Sequence, residues 1–235
     1  MNGKLFLFPV TIGAEEVTRS LPAANGELLD QCSVFVVEEL RSARRFLRRA
    51  GYSRPIDETT FYLLNEHTAE AETAHYLDPI FDGQNVGLLS EAGLPCVADP
   101  GAMITRQAQR LGIEVVPLVG PSSLMLALMA SGLNGQNFAF VGYLPVDRSE
   151  RAHALRRLEE RALREGQTQI FIEAPYRNNQ MLEAICQTLR PATQVCVATD
   201  ITMPTQSIRT MSVAQWARLR VEVNLHKRNT VFLVG

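Results

Sequence analysis

The chain of 235 residues lacks several features that would assign it to a class at once. Its four cysteines have no C-x-x-C spacing and no histidine in metal-ligand register, so reduced thiols are expected and no metal site is predicted. No apolar run is long enough to cross a membrane, and the apolar segment 5–10 is too short and too soon interrupted by Pro9 for a signal peptide. These absences predict a cytoplasmic protein without a membrane partner.

An excess of charge of one sign is also lacking. The formal net charge is −2, so an anionic partner would have to bind a local patch rather than the chain as a whole. The motifs G-x-x-x-x-G-K-[ST], G-x-G-x-x-G after the first strand, H-E-x-x-H and G-x-S-x-G are missing. Their absence weighs against a P-loop NTPase, an ordinary dinucleotide enzyme, a zincin and an α/β-hydrolase. Hydrophobic residues make up 46% of the chain, which is enough for one large or two small cores.

The first half of the sequence alternates short apolar runs with amphipathic segments. Strands are predicted at 4–8, 34–38, 59–64, 86–89 and 114–118. Helices are predicted near 27–32, 42–50, 69–81 and 102–111. Strands and helices in alternation are typical of a parallel sheet covered by helices.

The second half contains strands that follow one another without a helix, which favours a mixed sheet. These strands are predicted at 138–141, 169–173, 195–199, 207–211 and 230–234, with helices at 124–131 and 152–165. We therefore predict an α/β protein of two domains. Residues 1–118 form an N-terminal domain with a parallel sheet and flanking helices, and residues 119–235 form a C-terminal domain with a mixed sheet.

Two strands of the first half end in loops rich in glycine and proline. The run 86–89 leads into the segment 90–101, SEAGLPCVADPG, and the strand 114–118 leads into the segment 119–123, VGPSS. Such loops leave backbone N–H and C=O groups free at the carboxyl edge of a parallel sheet, where small ligands bind. This pattern suits an adenosine-containing ligand. The alternative is that glycine and proline merely turn the chain.

The residues predicted to contact this ligand lie at the ends of strands in both halves of the chain. They are Pro9, Ala92, Gly93, Leu94, Val97, Ala98, Ser122, Ser123 and Ala174. Gly93 allows a ligand to approach the backbone closely, and the two serines offer donors at the start of a helix. Ala174 is included because the strand 169–173 again ends in a proline turn.

Charged and polar residues near the same sheet edge are candidates for substrate binding and catalysis. His67 and Glu66, just past the strand 59–64, are the candidate general base, with a hydrogen-bonded structural histidine as the alternative. Arg41 and Arg177 are the candidate phosphate contacts. Arg177 opens a predicted helix, where a cation opposes the helix dipole, and this indicates an anionic partner.

One predicted helix is unusually rich in arginine. It carries Arg41, Arg44, Arg45, Arg48 and Arg49. Such a set is typical of a phosphate-binding surface. A solvated helix face explains it equally well, because no aromatic residues are interleaved to stack on bases.

Several strings, in order along nearly the whole chain, carry a resemblance to a known family. They are 5–13 (LFLFPVTIG), 38–41 (EELR), 90–95 (SEAGLP), 99–101 (DPG), 117–123 (PLVGPSS), 130–133 (ASGL), 142–145 (GYLP) and 171–177 (FIEAPYR). Together they resemble the tetrapyrrole methylase superfamily of class III methyltransferases. Within it, they resemble the branch that methylates ribosomal RNA of the small subunit.

The resemblance implies a tetrapyrrole methylase-like fold and an S-adenosyl-L-methionine-dependent methyltransferase. It implies that the cofactor lies in the cleft between two α/β domains, against the loop residues named above, and that the protein is a homodimer. The implied partner is ribosomal RNA or the small ribosomal subunit, and the implied reaction is 2′-O-methylation of a cytidine ribose.

The chain departs from the family pattern mainly on the predicted substrate side. The family's Pro-Thr-Pro-Ile-Gly-Asn, Glu-Asp-Thr-Arg, His-Glu-His-Asn and Ala-Arg-Glu-Leu-Thr-Lys appear here as 9–14 (PVTIGA), 38–41 (EELR), 65–68 (NEHT) and 198–203 (ATDITM). These departures, with the weak net charge, keep open a methyltransferase of the same fold acting on a small molecule such as a tetrapyrrole. A second alternative is a cofactor-binding protein without turnover, and a third, which the ordered series of strings weighs against, is an α/β protein that binds no nucleotide.

Overall fold

The computed structural model describes residues 2–13, 16–65 and 67–235. The chain divides into two compact units, Met1–Ser122 and Ser123–Gly235. The predicted domain boundary, between residues 118 and 119, lies four residues before this division. Within the described ranges, no helix is both long enough and apolar enough to span a bilayer.

The first unit contains a five-stranded parallel sheet. Its strands are β1 (Leu5–Phe8), β2 (Cys32–Val37), β3 (Thr60–Leu63), β4 (Asn85–Leu89) and β5 (Val115–Pro117). Their order across the sheet is β3-β2-β4-β1-β5, and every neighbouring pair is parallel. The predicted N-terminal parallel sheet is confirmed, and each predicted strand is present to within two residues at either end.

Apolar residues cover both faces of this sheet, because successive side chains of a strand point to opposite sides. Phe6, Phe8 and Phe35 belong to a buried cluster on one face, whereas Leu5 and Val34 belong to a cluster on the other. Burial of both faces explains why the central strands β1, β2 and β4 are almost wholly apolar.

The helices of the first unit are α1 (Ala23–Leu29), α2 (Leu40–Arg49), α3 (Asp78–Phe81) and α4 (Ala102–Arg110). The predicted helix 69–81 is wrong: the structure has a 3-10 turn at Glu70–Thr73 and the short helix α3. Pro79 explains the interruption, since proline has no N–H to donate within a helix and its ring clashes with the preceding turn. It lies instead in the first turn of α3, where its missing N–H is harmless.

The second unit contains a mixed sheet, as predicted. Its elements are α5 (Ser123–Ser131), β6 (Phe138–Tyr143), α6 (Arg148–Glu165), β7 (Thr168–Ile172), α7 (Asn178–Thr188), β8 (Gln194–Thr199), β9 (Ser207–Ser212), α8 (Val213–Leu219) and β10 (Thr230–Val234). The strand order is β6-β7-β10-β8-β9. Only β6 and β7 pair in parallel, and the remaining neighbours are antiparallel.

The core of the second unit combines aromatic stacking with one buried hydrogen bond. The rings of Phe171 and Phe232 stack with their centroids 5.4 Å apart. Trp216 is 2% exposed, and its Nε1 donates to the carbonyl of Val195 at 2.8 Å. This bond satisfies the indole N–H and fixes α8 against β8, although α8 is not predicted from the sequence.

Gly87, in β4, tests how closely the first unit is packed. A Cβ at this position would lie 2.5 Å from Cδ1 and 2.6 Å from Cε1 of Phe35, a fully buried ring. We expect Gly87→Ala to lower the free energy of unfolding by about 1–3 kcal/mol, as overpacking of a core does. Urea denaturation measures this loss.

The matched control is Gly135→Ala. A Cβ at Gly135 would meet no atom within 4 Å, and the φ of this residue is not positive. We expect its effect on the free energy of unfolding to stay within about 0.5 kcal/mol. Small and equal effects at both glycines would contradict the close packing of β4.

Candidate functional site

Three loops meet at the carboxyl edge of the sheet in the first unit. They follow β1, β4 and β5, which are adjacent in the order β4-β1-β5. In open α/β sheets, ligands bind outside the carboxyl ends of the strands. The structure therefore brings Pro9, the segment 92–98 and Ser122 to the same edge of one unit.

Gly93 joins the loop after β4 to the chain that follows β1. Its N–H donates to the Val10 carbonyl at 3.1 Å, and its carbonyl accepts from Val10 N at 2.9 Å. Its φ is +72°, and a Cβ would lie 3.1 Å from Ile12 Cγ2 and 3.3 Å from the Pro121 carbonyl oxygen. Glycine is thus required here by the fold, in addition to any ligand, because other residues rarely adopt this conformation.

Pro9 is buried beneath the turn that follows β5. A Cβ on Gly120 would overlap the Pro9 ring. Asn25 Nδ2 donates to the Val119 carbonyl at 2.9 Å and ties the same turn to α1. Pro9 therefore positions the 119–122 turn at the end of β1.

The carboxylate of Asp99 organises the loop after β4. Its Oδ1 accepts from Cys96 N at 3.1 Å and from Gly101 N at 2.7 Å. Cys96 and Ala98 have φ values of +68° and +55°, in the left-handed region that is sparsely populated for residues other than glycine. Burial raises the pKa of Asp99 above its ordinary value, and the two backbone hydrogen bonds oppose that rise.

The composition of this loop suits a ligand that is recognised by backbone groups. Ala92, Val97 and Ala98 are exposed. The backbone N–H and C=O groups of Ala92 and Ala98 form no hydrogen bond with any described residue. Small side chains leave such groups accessible, and they match the donors and acceptors of an adenine edge or an amino-acid moiety. The loop therefore fits an adenosine-containing ligand.

In the part of the chain that the structure describes, no group of three or more His, Cys, Asp or Glu side chains is arranged to hold a metal ion. Burial raises the pKa of Cys32 to about 12. Its sulfur therefore stays a neutral thiol in the core.

His67 lies at the same sheet edge but farther from the loops. It is exposed and follows β3, and its backbone N–H donates to Asn65 Oδ1 at 2.9 Å. Because β2 separates β3 from β4, the two strands are roughly 10 Å apart at the usual strand spacing. Glu66 lies outside the described residues. A role for His67 and Glu66 as general base stays a prediction.

Arg41 lies in the first turn of α2, next to the loop after β4. Glu39 caps this helix by accepting from Arg41 N and Ser42 N, both at 2.7 Å. The bond from Arg41 N is the main cause of a lowered pKa of Glu39. Ser42 Oγ lies 2.7 Å from Glu91 Oε1, which joins the start of α2 to the loop of residues 90–101.

In the second unit, a buried ion pair shapes the Ala174 turn. Glu173 is 4% exposed, and its Oε1 accepts from Ala174 N at 2.7 Å and from Arg177 Nε at 3.0 Å. The Arg177 guanidinium also lies 5.8 Å from the centre of the Tyr176 ring. Arg177 thus supports the predicted ligand turn, and its contact with a phosphate stays a prediction. This role of Glu173 is not apparent from the sequence.

A second network joins this turn to the loop between β8 and β9. Arg228 Nε donates to Asp200 Oδ2 at 2.8 Å, and Thr205 Oγ1 donates to the same oxygen at 2.8 Å. The Arg228 carbonyl accepts from Asn178 Nδ2 at 2.6 Å. Asp200 and Arg228 are not predictable from the sequence, since no local pattern pairs residues 28 positions apart.

The arrangement of strands and loops defines a class of protein. The fold is similar to that in a crystal structure of the methyltransferase CobJ, with a TM-score of 0.66 over 99% of this chain and 94% of that chain. The sequence identity is 18%, so this similarity shows the fold. The class is that of α/β proteins with a parallel-sheet unit followed by a mixed-sheet unit.

Sequence comparisons place the chain within that class. The profile of the family described as Tetrapyrrole (Corrin/Porphyrin) Methylases matches residues 19–217. Ribosomal RNA small subunit methyltransferase I of Escherichia coli O157:H7 is 30% identical over 99% of this chain and 78% of its own length. The protein of the same name from Mesorhizobium japonicum is 34% identical over 98% of this chain and 74% of its own length. The chain belongs to the tetrapyrrole methylase family and is a methyltransferase, as the resemblance implied.

Asp99 yields a test of the loop. Asp99→Asn keeps an oxygen where both N–H groups donate and removes a charge that is unfavourably buried, so we expect at least wild-type stability. Asp99→Ala leaves both donors without their acceptor, and we expect a loss of about 1–3 kcal/mol. Urea denaturation distinguishes them, and equal losses would contradict the role of Oδ1.

The difference in stability between Asp99→Asn and the wild type can also be measured as a function of pH. Below the ordinary Asp pKa of 3.8, the carboxyl is protonated in both states and contributes nothing. Between pH 3.8 and the higher folded-state pKa, the unfolded state has released this proton and the folded state still holds it, so the stability of the wild type falls as the pH rises. We expect the stability of Asp99→Asn relative to wild type to increase with pH over this window. A constant difference would contradict the burial of this charge.

Proposed function

We propose that the protein transfers the methyl group of S-adenosyl-L-methionine to the ribose 2′-hydroxyl of a cytidine in small-subunit ribosomal RNA. The observation that carries the proposal is the loop of residues 92–98, which presents unpaired backbone groups at the carboxyl edge of the sheet in a chain of this family. The names of the relatives support ribosomal RNA as the substrate.

The cofactor is proposed to bind the loops of the first unit. Ala92 and Ala98 offer backbone donors and acceptors, Gly93 permits close approach, and Leu94 and Val97 offer apolar contacts. Pro9 supports this surface, and Ser122 adds a hydroxyl. Ser123 and Ala174 of the second unit are proposed as further contacts. When bound, the cofactor supplies a methyl group that its sulfonium has already activated.

The remaining task of the protein is to orient the acceptor and remove its proton. Holding two reactants in line at close distance accounts for a large part of the rate enhancement in such transfers. A positioned general base typically contributes about 10²–10⁴-fold, and we assign this role to His67 with Glu66. Arg41 and Arg177 are proposed to bind phosphates that flank the target nucleotide.

Methyl transfer to ribosomal subunits tests the proposal directly. Small subunits from cells that lack this protein are incubated with labelled S-adenosyl-L-methionine, and the modified nucleoside is identified by mass spectrometry. We expect labelled 2′-O-methylcytidine. Cofactor binding without label in RNA would contradict the ribosomal substrate and would favour a small-molecule acceptor or a protein without turnover.

A substitution in the loop tests the cofactor site separately. Ala92→Trp fills the space beside Gly93 without requiring a left-handed conformation. We expect cofactor affinity by isothermal titration to fall at least about tenfold, or about 1.4 kcal/mol. Ala192→Trp, at another exposed turn, is the control. Unchanged affinity in Ala92→Trp would refute this placement of the cofactor.

We also propose, from the family resemblance, that the protein is a homodimer in the cytoplasm. Light scattering coupled to gel filtration measures the mass of the particle, and the monomer chain is 26.1 kDa. If the only particle detected in an active preparation has the mass of the monomer, the proposed dimer is contradicted.

A further inference from the structure

One face of α2 consists of exposed arginines, which we name the α2 arginine face. Its members are Arg41, Arg44, Arg45, Arg48 and Arg49. At about 100° per residue, the five positions fall within an arc of about 140°, and they extend about 12 Å along the helix axis. The opposite face holds the buried residues Ala43, Phe46 and Leu47. The helix therefore packs on the sheet with one side and presents only arginine on the other.

Among the described residues, Glu39 at the start of α2 attracts Arg41 electrostatically, but most of the charge on this face has no carboxylate paired with it. Four of the five residues, Arg41, Arg44, Arg45 and Arg48, form no ion pair with a carboxylate in residues 2–13, 16–65 and 67–235. Arg44 lies over the Phe61 ring at 5.5 Å, a contact that leaves its charge in place. The segment of α2 contains no acidic residue at all.

The other arginine-rich helix of the chain is built differently. α6 has six arginines, but it also has four glutamates, and Arg164 pairs with Glu160 at 3.1 Å. Such interspersed charge is typical of a solvated helix surface. Both helices are therefore rich in arginine, and α2 differs from α6 in having no acidic residues between its arginines.

The arrangement on α2 carries an electrostatic penalty in the isolated protein. Arginines three and four positions apart are neighbours on a helix surface, and like charges at these spacings destabilise it. The face contains such pairs at Arg41/Arg45, Arg44/Arg48 and Arg45/Arg49. A closely bound polyanion removes the repulsion and gains contacts with guanidinium groups, which bind phosphate in a bidentate manner.

The position of the face relates it to the candidate cofactor loop. Glu39 fixes the first turn of α2, and Ser42 Oγ contacts Glu91 Oε1 in the loop of residues 90–101. Arg41 is therefore at the end of the face nearest that loop, and Arg48 is at the far end. An extended anion lying along the face would lead toward the site of methyl transfer.

We propose that the α2 arginine face binds the phosphate backbone of the RNA substrate beside the cofactor loop. This inference rests on the proposed function, from which it takes the RNA. Because the net charge of the protein is −2, the protein as a whole does not attract RNA, and binding requires a local basic surface. The α2 arginine face is such a surface. The arginines contact phosphates and are positioning residues with no part in proton transfer.

The test removes three charges far from the predicted catalytic residues. Arg44→Gln/Arg45→Gln/Arg48→Gln leaves Arg41 in place and uses a good helix former at each position. Binding to small ribosomal subunits is measured by filter retention at several salt concentrations. We expect affinity at low salt to fall at least about tenfold, and the slope of log affinity against log salt to decrease in magnitude by about 2–3. Cofactor affinity should stay unchanged.

Two further variants serve as controls. One keeps the positive charge of α2, and the other removes the same number of arginines from a different helix. The triple lysine variant at positions 44, 45 and 48 keeps the charge, and we expect it to retain the salt dependence. Arg156→Gln/Arg157→Gln/Arg161→Gln removes three exposed arginines from α6, and we expect RNA binding at the wild-type level. Equal losses from the α2 and α6 glutamine variants would refute a specific surface.

The outcomes also distinguish this inference from the proposed function. If the wild type methylates small subunits and the α2 glutamine variant binds them with the same affinity and salt slope, the surface is refuted and the function stands. If the wild type binds RNA through α2 but transfers no methyl group to it, the function is refuted and the surface stands. If the wild type does not bind RNA, both are refuted.

Discussion

The close approach of backbones at the end of β1 is the constraint on which the first unit depends. β1 lies between β4 and β5, so the loops after all three strands compete for the same space. Gly93 and Gly120 relieve this crowding, because a side chain at Gly93 would press on Ile12 and the Pro121 carbonyl, and a side chain at Gly120 would overlap Pro9. The loop after β4 is thereby held at its base, and Ala92 and Ala98 remain at the surface. The packing of the loops is therefore sufficient to explain both glycines, whether or not a ligand contacts them.

The arginines of this protein have two physical roles, which differ in how the charge is compensated. In the second unit, Arg177 and Arg228 lie against Glu173 and Asp200 and hold loops together. On α2, Arg41, Arg44, Arg45 and Arg48 face solvent and form no ion pair with a carboxylate of the described residues. The formal charge of −2 conceals this difference, since the sum over the chain says nothing about where opposite charges meet.

The sequence predicts well those features that arise from local patterns. Short apolar runs identify the central strands of both sheets, because burial on both faces leaves these strands little room for polar residues. The loops after β4 and β5 are recognisable from glycine and proline that end a strand. Apolar periodicity fails for the segment 69–81, where Pro79 overrides it.

Features that depend on the folded loops are not predictable in this way. Glu39 is a helix cap, although an ion pair with an arginine is the simpler expectation from its neighbours. Asp99 acquires its role only once the loop brings two N–H groups to one oxygen. Asp200 and Arg228 meet only because β8 and β10 are neighbours in the sheet. The contacts of these residues depend on how the chain folds, and a short stretch of sequence does not show them.

The place of β10 has a consequence for the order in which the protein forms. This strand lies in the middle of its sheet, between β7 and β8, although it follows every other strand in the chain. All strands of the first unit are present once residue 122 has been synthesised, and this unit can fold early on the ribosome. The second sheet lacks its central member until residue 234 has emerged, and β7 and β8 meanwhile expose unpaired edges. During translation, the second half of this protein is therefore the part that most needs protection from aggregation.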